Sequence, residues 1–320
     1  MDETHKNLLI KQQYRLYNDH SALKLCHWMK ESMVHGRTCY KQDFYGIESH
    51  RCLQMTPSIN ECSHSCQFCW RIQGKDFEVE NWAEPKDILE NLIQQQRLLI
   101  SGFNGDPRCS KKMFAEAQEP NQVAISLAGE PLIYPYLSDF LKVCHSRKMT
   151  TFLVTNGTYP EKLLELDELP RQLYVTIAAP NEEIYKRVCR PKISNGWQRI
   201  MRTLEVLPSL KTRTVIRHTL VKNLNFGWVD DYARLDRIGG PFLIEPKGYV
   251  FVGGSRMRLS LSNMPSFNEI RDFSEQLGNR VGMDVIKEKA DSRVVLLGHP
   301  GVEINIKKLY HLEEQGEAEI

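Results

Sequence analysis

Cys62-Ser63-His64-Ser65-Cys66-Gln67-Phe68-Cys69-Trp70 sets three thiols at spacings of four and three residues. Three thiolates can hold three corners of an iron–sulfur cube, which normally takes four. The iron left without a thiolate keeps an open position, where a metal can bind a substrate or cofactor. Two plainer readings compete. The spacing i, i+4, i+7 would also set small thiols on one face of a buried helix, although Ser63, His64, Ser65 and Gln67 are poor core neighbours. A zinc ion would need His64 as its fourth ligand.

Upstream lies a second series, Cys26, Cys39 and Cys52, with twelve residues between successive members. Their neighbours include Lys24, His27, Arg37, Tyr40, Lys41 and Arg51, and basic surroundings favour thiolates. Spacing alone leaves chance and a second three-thiolate group equally open. The chain has nine cysteines, an odd number, and its start, Met1-Asp2-Glu3-Thr4-His5-Lys6, lacks the apolar stretch of an export signal. Metal ligation is therefore expected rather than disulfides. No apolar run approaches the roughly 18–20 residues of a membrane span, so a cytosolic protein without membrane contact is expected. A hydrophobic content of 41% across 320 residues allows one large α/β domain or two small ones.

Downstream, strands and helices alternate. Pro85-Lys86-Asp87 opens a helix. Strands are expected at 55–57, 123–127, 151–154, 173–177, 213–220, 242–245 and 293–297. Helices are expected at 136–146, 160–168, on each side of Pro191, near 228–235 and at 266–277. Repeated βα units imply a parallel sheet with right-handed crossovers. The fold class is α/β, a partial (βα)6 barrel over about residues 53–300. An N-terminal cysteine-containing extension, 1–52, precedes it, and a tail, 301–320, follows.

Barrels of this kind carry function on the loops after their strands. Strand 123–127 runs into Ala128-Gly129-Glu130-Pro131, where glycine permits close backbone approach and the Glu130 carboxylate can accept from an ammonium group. Strand 151–154 ends in Thr155-Asn156-Gly157, by itself a common turn sequence.

Cys-x3-Cys-x-aromatic-Cys, with Phe68 as the aromatic, resembles the signature of the radical S-adenosylmethionine (SAM) superfamily. Cys39-Tyr40-Lys41, Phe44 to Glu48, His50-Arg51-Cys52, Ala124 to Pro131 and Val154 to Gly157 add to that motif. So do Arg213-Thr214-Val215, Thr219 to Lys222, Glu245-Pro246-Lys247 and Val252 to Arg256. Together they resemble the tRNA 4-demethylwyosine synthases of the wyosine pathway, in their archaeal single-module form, over roughly residues 12–297. The resemblance implies a barrel of the radical SAM type and two 4Fe–4S clusters, one on Cys62, Cys66 and Cys69 and one on Cys26, Cys39 and Cys52. It places Phe68, Gly129 and Glu130 at SAM, with Asn156 and Arg217 toward the methionine end. Where the family would have Ser-Leu-Asp-Ala, this chain has Thr176-Ile177-Ala178-Ala179, so a side chain suited to the SAM ribose is missing at Ala178.

The implied reaction is lyase-type carbon–carbon chemistry. A 5′-deoxyadenosyl radical takes a hydrogen from the N1-methyl group of N1-methylguanosine, 3′ of the anticodon in tRNA-Phe. The carbon radical adds to pyruvate, the carboxyl carbon is lost, and ring closure gives 4-demethylwyosine. Pyruvate is expected either on the second cluster's open iron or as an imine on Lys41, with Arg37 or Arg51 lowering that amine's pKa. The eukaryotic members' flavodoxin-like module has no counterpart here, so an external flavodoxin- or ferredoxin-type donor and a monomer are expected.

Charge supports an RNA partner separately from the resemblance. Between Ile184 and Val229 lie ten Lys or Arg against one acid, Glu205, although the net charge is only +2. Tyr185, Trp197 and Trp228 fall in the same stretch and suit base stacking. Two rivals stay open: another two-cluster radical SAM enzyme acting on RNA, and a zinc-dependent RNA-binding protein without catalysis.

Overall fold

The computed structural model describes residues 1–59, 61–71, 73, 79–310 and 312; His311 and the end of the expected tail, from 313 on, lie outside the described residues. After helix α1 (Glu3–Lys11) come two short strands, β1 (Arg15–Tyr17) and β2 (Ser21–Leu23), then α2 (His27–His35) and α3 (Tyr40–Tyr45). Strand β3 (Cys52–Thr56) leads to α4 (Pro85–Ile100), α5 (Lys111–Ala117), β4 (Gln122–Ile125), α6 (Leu137–Ser146), β5 (Thr150–Thr155) and α7 (Pro160–Leu164). Next are β6 (Gln172–Thr176), α8 (Glu182–Cys189), α9 (Gly196–Val206), β7 (Arg213–Leu220), α10 (Val229–Gly239) and β8 (Leu243–Gly248). The described chain closes with α11 (Phe267–Val281), β9 (Asp284–Lys289), β10 (Val294–Gly298) and α12 (Ile306–Leu309).

All ten strands form one sheet, ordered β1-β2-β3-β4-β5-β6-β7-β8-β10-β9. From β3 to β8 every pairing is parallel, which gives the six-stranded partial barrel. Side chains alternate between the two faces of each strand. Leu153, Leu173, Val175 and Ile216 share one core with Leu89, Leu92, Leu141, Ile200 and Leu204 of the crossover helices. Phe152, Tyr174, Val215 and Leu243 point the other way and pack against Tyr40, Phe44 and Tyr45 of α3. Both faces are buried, so the strands read as nearly unbroken apolar runs. Helix α3 thus fills the concave side of the sheet, and that placement matters for Lys41.

Among the described residues the barrel is not closed, because β1 and β9 are edge strands with one neighbour each. Strand β10 runs antiparallel to β8, unlike the units before it. The chain reverses between β9 and β10 through Ala290–Ser292, with Arg293 in the left-handed region at φ 47°. Helix α7 stops at Leu164, short of the expected 168. Among the described residues, no helix is long and apolar enough to cross a membrane.

Candidate active site

Residues 62–70 form a loop of turns, bends and one bridge rather than a helix, so the three thiols are not one face of a core helix. The loop's backbone is held by its surroundings. The last carbonyls of α8 have no intrahelical partner, and they accept from the motif: Ser65 N–H to Cys189 O at 3.0 Å and Gln67 N–H to Val188 O at 2.9 Å. In return Lys192 N–H donates to Ser63 O at 2.8 Å. On the other side, Gly254 N–H donates to Trp70 O at 2.8 Å and Arg258 Nε to Gln67 O at 3.1 Å, while Arg258 Nη2 reaches Cys69 O.

The loop after β4 closes the third side. Glu130 N–H donates to Glu61 O at 2.7 Å, and Ser58 Oγ donates to Glu130 O at 2.8 Å. Gly129 sits at φ +67°, and a Cβ there would lie 1.7 Å from Ser58 O. Only glycine allows that approach. From the loop after β5, Asn156 Nδ2 donates to Ser63 Oγ at 2.9 Å and to the Cys62 sulfur at 3.6 Å.

Glu130 is buried, and burial pushes its carboxyl up to about 7 despite donors from Asn156, Thr155 and Leu132. Thr155 Oγ1 and Leu132 N–H reach Oε1 at 2.7 and 3.2 Å, and Asn156 N–H reaches Oε2 at 2.8 Å. A carboxylate offers roughly four acceptor positions, so one is left.

Cys62, Cys66 and Cys69 feel one another's charge, and each thiol is pushed up: Cys62 and Cys69 chiefly by burial, Cys66 chiefly by contact with Cys189. A thiol set that resists ionising alone is neutralised when a metal replaces its protons. Beside it, Arg71 is 6% exposed and stacked on Trp70, with Nη1 on Tyr14 Oη. Its Nε and Nη2 have no partner among the described residues. Buried donors facing no acceptor are costly, so an anionic group near Cys69 suits them. The donor set therefore fits an iron–sulfur cluster. A zinc site built on the motif with His64 fits less well. His64 meets Cys66 and Cys189, not the full triplet, and its Nε2 is 2.7 Å from Tyr185 Oη.

Cys26 and Cys39 are the N-cap residues of α2 and α3, and Cys52 begins β3. Amides at a helix N-terminus favour a thiolate, and those of Trp28, Met29 and Lys41 act that way here. Burial works against them, raising Cys26 and Cys52 and bringing Cys39 to about 11. The three thiols again feel one another.

Lys41 is the second residue of α3, 8% exposed, with Nζ 4.3 Å from the Phe152 ring centroid and 4.9 Å from that of Tyr174. Arg217, expected near the methionine end of SAM, lies in this pocket. Its Nε donates to Glu245 at 2.7 Å and its Nη2 to Tyr40 Oη at 2.8 Å. Lys247 lies 4.7 Å from the Tyr40 ring centroid and donates to Ser292 O at 2.8 Å. Sequence reading singled out neither Lys247 nor the buried Glu245 as a site residue. The pocket thus sets three basic groups, Lys41, Arg217 and Lys247, against one carboxylate, Glu245. Burial lowers Lys41, with Arg217 as the next cause, and brings Lys247 down to about 8. Arg37 and Arg51, the neighbours expected for Lys41, face outward to Glu31 and Asp291 and to Glu48 and Glu119 O.

Residues 56–235 match the family description "Radical SAM superfamily", and 238–299 match "Wyosine base formation". A SAM-dependent tRNA 4-demethylwyosine synthase of Pyrococcus abyssi is 49% identical over 93% of this chain and 89% of its own. The chain belongs to the tRNA 4-demethylwyosine synthases. The synthase of Methanocaldococcus jannaschii is 37% identical over 94% of this chain and 97% of its own. Two solved structures share the fold closely. "Structure of TYW1 with a lysine-pyruvate adduct bound" has a TM-score of 0.88 and 36% identity, and "Crystal structure of archaeal TYW1" has 0.80 and 32%. Each covers 96% of this chain and 99% of its own. As a radical SAM tRNA-modifying enzyme of the wyosine pathway, this synthase depends on the backbone contacts that hold the 62–70 loop.

Gly129→Ala is therefore expected to lose the iron bound there and SAM cleavage with it, as read by iron content after anaerobic reconstitution. Gly36→Ala is the control: it has a similar φ of +65° but open space around its Cβ. Full iron in Gly129→Ala would show that the contact with Ser58 does not shape the site.

Proposed function

We propose that this synthase condenses pyruvate with the N1-methylguanosine 3′ of the anticodon in tRNA-Phe, yielding 4-demethylwyosine, with pyruvate held as an imine on Lys41. The observation that carries this reading is the Lys41 pocket: a buried amine on the concave face, beside Cys39, with more basic groups than carboxylates around it. An anionic keto acid suits such a pocket, and the solved relative with a lysine–pyruvate adduct supports the same assignment. When bound, the cluster and SAM supply the 5′-deoxyadenosyl radical that takes a hydrogen from the N1-methyl group.

The chain's own part is positioning. Imine formation needs Lys41 Nζ neutral, so that its lone pair attacks the keto carbon and water leaves. Burial and Arg217 favour the neutral amine, while Cys39, Cys52 and Glu245 oppose it. Arg217 and Lys247 would hold the pyruvate carboxylate. Cys26, Cys39 and Cys52 would hold a second 4Fe–4S cluster next to it. Gly129, Glu130, Asn156 and Phe68 line the side where Cys62, Cys66 and Cys69 would hold the first, together with SAM.

RNA would approach across the basic stretch, in which Lys186, Arg187, Arg190, Lys192 and Lys211 are exposed. Arg213 and Tyr185 are buried, at 4% and 2% exposure, and leave that footprint; Arg217 leaves it too. Electrons would come from a separate flavodoxin- or ferredoxin-type donor to a cytoplasmic monomer.

Two measurements test the assignment. Replacing Cys26, Cys39 and Cys52 by Ala should remove roughly half the iron and leave uncoupled SAM cleavage, whereas replacing Cys62, Cys66 and Cys69 should remove a similar share and all cleavage. Unchanged iron in the first variant would discard the second cluster. Borohydride with pyruvate should add a pyruvate-derived mass to the peptide containing Lys41. Lys41→Arg should lose adduct and product while keeping its iron, and Lys247→Met should still carry the adduct on the Lys41 peptide, in lower yield. A Lys41→Arg enzyme that still makes product would instead put pyruvate directly on the second cluster.

A further inference from the structure

One metal-ligating group uses only part of the motif. A ring nitrogen of His64 and the sulfurs of Cys66 and Cys189 all lie within 4.8 Å of one another. His64 and Cys189 are buried, at 6% and 3% exposure, and Cys66 is half-buried. Two thiols and an imidazole are a zinc donor set. With zinc–ligand bonds of about 2.0–2.3 Å, tetrahedral donors lie roughly 3.3–3.8 Å apart, so small rotations of these side chains would close the site. Cys189 ends α8, the helix whose carbonyls hold Ser65 and Gln67. Its approach to Cys66 therefore follows from the contact that shapes the motif loop.

We propose that His64, Cys66 and Cys189 form a zinc site in the cluster-free chain, and that zinc there excludes the iron–sulfur cluster because both require Cys66. The site has three protein ligands, and water would complete the tetrahedron. Thiol protons are released as the metal binds, and no electrons move. Cys62 and Cys69 take no part, which separates this site from one built on the motif alone. Cys66 is then the one ligand both metals need, and His64 and Cys189 serve zinc only.

The test uses full-length protein stripped of iron anaerobically and titrated with Zn²⁺ against a chromophoric chelator. Cys189→Ala is expected to weaken the zinc site by at least about a hundredfold, beyond the 10–100-fold typical of a lost outer-shell partner. Cys62→Ala and Cys69→Ala should change it by no more than a few fold. With Co²⁺ as the probe, thiolate charge-transfer absorption from this site should fall by half in Cys189→Ala. The upstream triplet contributes equally to each protein compared.

In reconstitution, added Zn²⁺ should slow iron uptake by the native protein more than by Cys189→Ala, in which only the upstream triplet can compete for zinc. Normal iron uptake by Cys189→Ala without zinc would show that the variant folds. Native zinc affinity in Cys189→Ala would overturn the proposal, as would equal losses in Cys62→Ala or Cys69→Ala. Either result would leave the synthase assignment standing, since that rests on similarity to known synthases.

Discussion

Backbone hydrogen bonds to the 62–70 loop are the constraint on which the rest of the site depends. Three thiols can face one metal group only if the chain between them avoids both helix and strand, and such a chain leaves its own amides and carbonyls unpaired. Leaving them unpaired when buried is costly. The fold supplies partners from three directions: the end of α8, the 253–258 loop and the loop after β4. Each of those follows or precedes a barrel strand, so the barrel's strand order fixes the loop's shape. Gly129 and Gly253 mark close backbone approaches, where a Cβ would come within 1.7 Å of Ser58 O and 2.3 Å of Trp70 O.

The second constraint comes from alternation along the strands. Because β5 and β6 turn Phe152 and Tyr174 inward, α3 can pack on the concave face and carry Lys41 with it. Tyr40 on the same helix links Arg217 of β7 to Glu245 of β8. The pocket is built from the N-terminal region and the far strands together. Burial there pushes Lys41 and Lys247 toward their neutral forms, and the proposed pyruvate and iron–sulfur ligands are anions that would offset what positive charge remains.

Much of this was legible in the sequence, for identifiable reasons. The three-thiol spacing is local, and the parallel strands are apolar runs because both of their faces are covered. What sequence proximity misjudged was reach across the sheet. Arg37 and Arg51 lie near Lys41 along the chain yet face solvent partners, while Arg217, far away in sequence, is the cation beside it. Tyr185 read as a stacking surface because it sits in a basic run, but it is buried against His64. Strands β1 and β2 have three residues each and show no pattern, and β9 is an exposed edge, paired only through β10.

The central claim is that pyruvate carbon enters the modified base. It is tested most directly by incubating tRNA-Phe bearing N1-methylguanosine with the reconstituted enzyme, SAM, reductant and pyruvate labelled with ¹³C at its keto and methyl carbons. Mass spectrometry of the digested nucleosides should show 4-demethylwyosine heavier by both labelled carbons, and no such nucleoside when pyruvate is withheld. Unlabelled product, or product formed without pyruvate, would contradict the account.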